Sequence, residues 1–298
     1  MTSTTSTATL PQRVFGKTGE LIPVLGLGTA PGGMGLDDAD AIELFEAAID
    51  LGVTYIDCAP GYDNAHRQLS HIVPRRRDEI FLVSKAPTER RQEALDMVEA
   101  NLRDLKTDAL DLVYVHSIGH QHPEKVLAAD GSLAGLRDAQ QRGWVRYVGF
   151  TSHKKPEWSE RLIKEVEVDA CMFALNFADH FTYGFDRTVL PLAVERNVGI
   201  AAMKAFGGAR NMEYHTTDDE KDRPSCFREH GFDRFDLCLR WVLSLEGVAT
   251  AVIGVYNLNE LEQCIAWTKG WKPLTPEEEG LLESEGQRLA KALGRHFD

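Results

Sequence analysis

The sequence predicts a (β/α)8 barrel. Three observations carry that expectation: eight short apolar runs, helix-period segments between them, and a length of 298 residues, somewhat above the ~250 typical of such barrels. The runs lie at 24–28, 55–57, 80–85, 110–116, 145–150, 170–175, 199–204 and 249–254. They are rich in Val, Ile and aromatics and do not alternate with polar residues, as expected for parallel strands covered on both faces.

Taken in order, residues 1–10 read as a flexible tail without the basic flank or apolar stretch of a leader. Gly16-Lys17-Thr18-Gly19 is a tight turn, predicting a hairpin-like cap before the first barrel strand. Between strands one and two, Ala41, Leu44, Phe45, Ala48 and Ile49 make one helical stripe, with Asp37 or Asp38 as N-cap and Gly52 as its stop. A second stripe, Ala94, Met97, Val98, Leu102 and Leu105, follows strand three, and Leu239, Val242 and Leu243 anchor a helix before strand eight. The connection 206–231 is the longest without periodicity, and an extra helix is expected near 277–293. No Pro- or Ser-rich linker divides the chain, so residues 1–298 are read as one domain. A doubly wound open sheet is the structural alternative. Against it, Pro31 falls where a pyrophosphate-binding helix should begin, and the glycines around Gly26 and Gly28 do not complete G-x-G-x-x-G.

With 46 acidic and 33 basic side chains the net charge is −13, and no basic run exceeds Arg75–Arg77. Such a surface repels phosphate backbones and anionic lipid, so no nucleic-acid partner is expected. No membrane partner is expected either, because no stretch approaches ~20 apolar residues. The acidic surface neither requires nor forbids self-association. Cysteines at 58, 171, 226, 238 and 264 are odd in number with no C-x-x-C spacing, which suggests neither disulfides nor zinc and fits a cytoplasmic protein. Only Cys58, by its neighbours, is a candidate catalytic thiol. His120 and His122 alternate on a loop without a third ligand nearby, so no metal is predicted.

A barrel's chemistry sits at the C-terminal ends of its strands. Asp57 ends strand two with Tyr62 five residues on, Lys85 ends strand three, and His116 ends strand four. Each alone is an ordinary loop residue; together, on consecutive strands, they converge. The set suits protonation of a developing alkoxide. An ammonium beside a phenol favours the phenolate and so makes Tyr62 a better proton donor, while Asp57 holds Lys85 in place. A neutral His116 can donate to the carbonyl oxygen.

These four residues, with Gly26-Leu27-Gly28-Thr29, Gly149-Phe150-Thr151-Ser152 and the segment Gly52 to Tyr62, resemble the aldo-keto reductases over about Gln12 to Trp267. The resemblance implies reversible hydride transfer between NADPH or NADH and a small-molecule aldehyde or ketone. Tyr62 would be the proton donor, and the extended cofactor would be held without a Rossmann motif. It further implies cofactor contacts from Gly28, Thr29, Asp57, Thr151, Ser152, Lys204, Phe206, Gly254, Tyr256 and Asn257. Met172 stands where a carboxamide-holding Gln is common, and Met203 where a stacking Tyr is common. The family often clamps the 2′-phosphate of NADP with a base after strand eight. Here Glu260 occupies that stretch and no base does, which favours NADH against the family's habit of NADPH. The 206–231 connection, hinged at Gly207 and Gly208, is expected to be a lid across the pyrophosphate. Met34, Tyr62, His116, Ile118, Phe181 and Tyr183 are the expected substrate wall, mostly apolar and suited to aromatic or aliphatic carbonyls. Two other functions use the same residues: a Schiff-base lyase with Lys85 or Lys204 as nucleophile, and a non-catalytic, cofactor-sensing subunit.

Overall fold

The computed structural model describes residues 9–209, 213–214 and 225–298. The chain opens with an antiparallel hairpin, β1 (Gln12–Val14) and β2 (Leu21–Pro23). Its turn requires left-handed backbone at Gly16 (φ +51°) and Gly19 (φ +73°), which glycine adopts at no steric cost. Eight parallel strands then close on themselves: β3 (Leu25–Gly28), β4 (Tyr55–Asp57), β5 (Phe81–Ala86), β6 (Leu110–Ile118), β7 (Val145–Ser152), β8 (Ala170–Ala174), β9 (Gly199–Met203) and β10 (Val248–Ile253), with β10 paired to β3. These strands coincide with the eight predicted runs, and the fold is the expected (β/α)8 barrel.

Helices shield the outer faces. The Asp38–Asp50 helix buries Ala41, Leu44, Phe45, Ala48 and Ile49, and the Asp37 carboxylate accepts from the Asp40 N–H at 3.0 Å as its N-cap. The last helix, Pro276–Leu293, begins with a reciprocal cap between Thr275 and Glu278, an arrangement that satisfies two otherwise unpaired N–H donors.

Two layers of apolar packing result, one between strands and helices, the other inside the barrel. The inner one is closed at the N-terminal end of the strands by the hairpin. Phe15 meets Tyr55 and Phe81 edge-on at 6.1 and 6.0 Å, and those two rings stack at 5.4 Å. A Cβ on Gly199 would sit 2.9 Å from the Phe15 ring, so that strand start must be glycine for the plug to seat.

Two expectations are corrected. Residues 1–8 lie outside the described residues, but Leu10 is buried in the core, so the tail cannot extend to residue 10. A short helix, Ala30–Gly35, does begin after β3 with Pro31 in its first turn, where proline's missing N–H has no partner to lose. Pro31 therefore did not discriminate between the open sheet and the barrel.

Candidate active site

Parallel pairing sets the site. In the register of β4 with β5, Asp57 lies opposite Val83, two residues before Lys85. Both side chains are buried, and the Lys85 ammonium donates to Asp57 Oδ1 at 2.5 Å and to the Cys58 carbonyl at 2.9 Å. Asp57 Oδ2 is buried and has no partner among the described residues. Tyr62 rides on the loop after β4. The Ala30–Gly35 helix packs so tightly on it that a Cβ on Gly33 would fall 2.2 Å from the Tyr62 carbonyl oxygen. Lys85 Nζ lies 4.7 Å from the centre of the Tyr62 ring, and the His116 ring meets that phenol edge-on at 6.3 Å. The four predicted residues from three adjacent strands are thus brought together.

Their electrostatics differ from expectation in one respect. Burial pushes the Tyr62 phenol above its ordinary pKa, and although Lys85 and Lys204 pull it down, they do not overcome desolvation. The expectation of a net acidified phenol is corrected: the ammonium offsets a penalty rather than producing a low pKa. Burial also pulls on the Lys85 ammonium, but Asp57 and Tyr62 outweigh it and keep the group charged. His116 is lowered to about 3, by burial and then by the charges of Lys85, Lys204 and His120, so its imidazole is neutral near pH 7. Cys58 is fully buried, its thiol donates to the Val83 carbonyl at 3.1 Å, and burial lifts it to about 12. It is an inert core residue, not a nucleophile.

Asp57 and Tyr62 open onto a cavity at the C-terminal rim of the barrel, walled by residues of the strand ends and of the connections after β9 and β10. Of the predicted cofactor residues, Gly28, Met172, Met203, Lys204, Phe206, Gly254, Tyr256 and Glu260 line it. A Cβ on Gly254 would meet Pro31 at 2.5 Å, so the glycine is required for that wall. Thr29, Thr151, Ser152 and Asn257 do not line it. The Thr29 hydroxyl donates to the Asp57 carbonyl at 3.0 Å, Thr151 Oγ1 accepts from the Ser117 N–H at 2.8 Å, and Ser152 Oγ donates to the Ile118 carbonyl at 2.7 Å. Asn257 caps the Leu258–Lys269 helix, accepting from the Glu260 N–H at 3.0 Å. These polar groups are engaged in holding backbone together. Glu260 itself accepts from the Tyr256 N–H at 2.8 Å.

The apolar substrate wall is also corrected. Ile118 is fully buried in the outer core, Tyr183 is buried with its hydroxyl accepting from the Phe297 N–H at 2.8 Å, and Phe181 packs on His180. Met34 lies on the Ala30–Gly35 helix and is likewise absent from the cavity wall. Sequence reasoning missed His153 and Arg228, both on that wall. The signal for His153 was its place directly after the Thr151-Ser152 pair; Arg228 sits in an unpatterned connection and gave none.

Of the expected lid, residues 210–212 and 215–224 lie outside the described residues. Its described ends are tied together: the Cys226 N–H donates to the Gly208 carbonyl at 3.0 Å, and Ser225 Oγ to the Phe206 carbonyl at 3.3 Å. Gly207 and Gly208 are left-handed, with φ +81° and +71°. Tyr214 accepts from the Lys204 ammonium at 2.6 Å.

The residues fit a nicotinamide dinucleotide: Gly28, Gly208 and Gly254 line the cavity, and Asp57, also on its wall, keeps a buried Oδ2 without a hydrogen-bond partner among the described residues. Comparison with known proteins agrees. The model of the aldo/keto reductase family matches residues 24–284. Aldo-keto reductase YhdN of Bacillus subtilis (strain 168) is 24% identical, the match covering 92% of this chain and 93% of that one. Aldo-keto reductase yakc [NADP(+)] of Schizosaccharomyces pombe is 24% identical over 97% of this chain and 86% of its own. In fold, the chain resembles the holo form of aldo-keto reductase AKR11C1 from Bacillus halodurans, with a TM-score of 0.73 at 20% identity, covering 95% and 97% of the two chains.

Proposed function

The chain belongs to the aldo/keto reductase family, and from that premise we propose that Tyr62 is the proton donor in the reversible reduction of an aldehyde or ketone. The observation that supports this reading most is the buried Lys85–Asp57 pair at 2.5 Å beside the Tyr62 ring, at the wall of the cavity. When bound there, NAD(P)H supplies the hydride. The chain's own residues do the rest. Tyr62 delivers a proton to the carbonyl oxygen as negative charge grows on it, and the charged Lys85 stabilises the phenolate left behind. Asp57 keeps Lys85 in place through Oδ1 and leaves Oδ2 as an acceptor for a cofactor hydroxyl. His116, neutral, donates to the same carbonyl oxygen and orients it.

We take NADPH as the preferred cofactor. Arg228 brings a guanidinium to the cavity wall from the connection after β9, supplying the base that the segment after β10 lacks, and Glu260 is turned toward its own helix start. Cys58, Cys171, Cys238 and Cys264 are buried outside any disulfide, which agrees with a reducing, cytoplasmic setting.

A Schiff-base lyase needs a lysine amine that is easily deprotonated. Lys85 and Lys204 are both raised above the ordinary range: burial acts downward on each, but Asp57 and Tyr62 outweigh it at Lys85, and Tyr214 does at Lys204. Both therefore remain ammonium. The deciding experiment is Tyr62→Phe. Nucleotide affinity, read by fluorescence titration, should persist while NADPH-dependent aldehyde reduction falls at least ~10²-fold, the lower bound for losing a general acid. Near-normal turnover would remove Tyr62 as donor.

A further inference from the structure

We propose that His153 binds a second oxygen on the substrate, adjacent to the carbonyl, so that the enzyme prefers α-hydroxy and α-oxo carbonyl compounds to simple alkyl ones. The inference rests on the carbonyl-reductase reading above and narrows its substrate class.

Two adjacent strand ends are stapled here. Ser117, directly after His116 at the end of β6, donates its N–H to Thr151 Oγ1 of β7 at 2.8 Å and holds left-handed backbone at φ +65°, a strained state for a non-glycine residue that persists only where its surroundings enforce it. Its hydroxyl lies 3.4 Å from His153 Nδ1. The staple therefore joins the two neighbouring strand ends that carry His116 and His153. His153 lines the same cavity as Asp57 and Tyr62, with the Phe297 ring 5.5 Å from its own.

With Nδ1 facing Ser117, Nε2 is the ring nitrogen that remains for a ligand in the cavity that His153 lines. Burial, followed by the charges of Lys204, His116, His120 and Lys85, keeps this ring well below the ordinary histidine pKa. It is a neutral hydrogen-bonding group, matched to a hydroxyl or carbonyl oxygen rather than to an anion. An alkyl group set against Nε2 would leave a desolvated ring nitrogen unpaired, a penalty that a substrate oxygen relieves. Met172 and Met203 are among the apolar side chains that share this cavity wall, both flexible enough to fit a short polar substrate.

The test compares lactaldehyde with propanal, three-carbon aldehydes differing by one α-hydroxyl, using NADPH and the whole chain. In His153→Leu the ratio of kcat/KM for lactaldehyde to that for propanal should fall at least ~10-fold, chiefly through KM, with NADPH Kd within about twofold of wild type. His153→Gln, which keeps a hydrogen-bonding group, should recover most of the ratio. An unchanged ratio overturns the proposal. So does a loss of NADPH affinity, which would assign His153 to the nicotinamide carboxamide instead. If His153→Leu does not fold, Ser117→Ala decides in its place: removing the hydroxyl that faces Nδ1 should lower the same ratio, and an unaltered ratio overturns the proposal. Wild-type chain that binds NADPH but reduces neither aldehyde would sink the reductase reading itself, a result distinct from any of these.

Discussion

Replacing Lys85 by Met separates what the ammonium does for the phenol from what it does for the fold. At the 4.7 Å that separates Nζ from the ring centre, a unit charge pair at an effective dielectric of 20 is worth about 3.5 kcal/mol. If all of that attraction develops in the transition state, its loss lowers the rate roughly 400-fold, and if half develops, roughly 20-fold. The expected fall in single-turnover reduction therefore lies between those bounds. Stability responds separately, because removing one partner of a buried ion pair costs about 3–5 kcal/mol, and adding Asp57→Asn should restore much of it. The assay is stopped-flow oxidation of NADPH with saturating aldehyde, in wild type, Lys85→Met, Tyr62→Phe and the double variant. If Lys85 acts through Tyr62, its substitution should add little once the phenol is gone. Losses that multiply fully in the double variant, or a single-variant fall under threefold, would refute the coupling.

Two further outcomes follow from the same geometry. Arg228→Ala should weaken NADPH binding about tenfold or more, as expected for a lost charge-assisted contact, and leave NADH nearly unaffected; equal losses for both nucleotides would remove Arg228 as the phosphate clamp. His66 is buried against Ser84 and lowered to about 4 by burial, so the folded state binds fewer protons than the unfolded state between about pH 6.5 and 4, and stability drops as the pH falls through that window. His66→Gln should flatten the urea stability profile there by roughly 3 kcal/mol, and a profile as steep as wild type would show that another group carries the acid sensitivity.

The barrel was legible because each strand is an unbroken apolar run and each intervening helix carries one stripe, two signals that do not compete. The clustering of Asp57, Tyr62, Lys85 and His116 was legible because strand ends mark position: a polar residue finishing an apolar run can face only the rim. Loop residues carry no such marker. Phe181 and Tyr183 follow a strand and Ile118 ends one, yet apolarity suits the core behind the rim as well as a pocket in front of it. Thr151 and Ser152 have the right chemistry for a ligand, but backbone donors and acceptors at the crowded strand ends claim their hydroxyls first. The phenol's net shift was misjudged because a sequence reveals the neighbouring charge and not the depth of burial that opposes it.

The Phe15 plug gives the barrel two unlike ends. With one end stoppered by interlocked aromatic rings, cofactor, substrate and product must all pass through the other. The mouth can thus be remodelled, loop by loop, for new chemistry or new clients without disturbing the seal on which cohesion of the inner layer depends. Grafting of foreign βα loops should accordingly be tolerated far better than any edit to the hairpin.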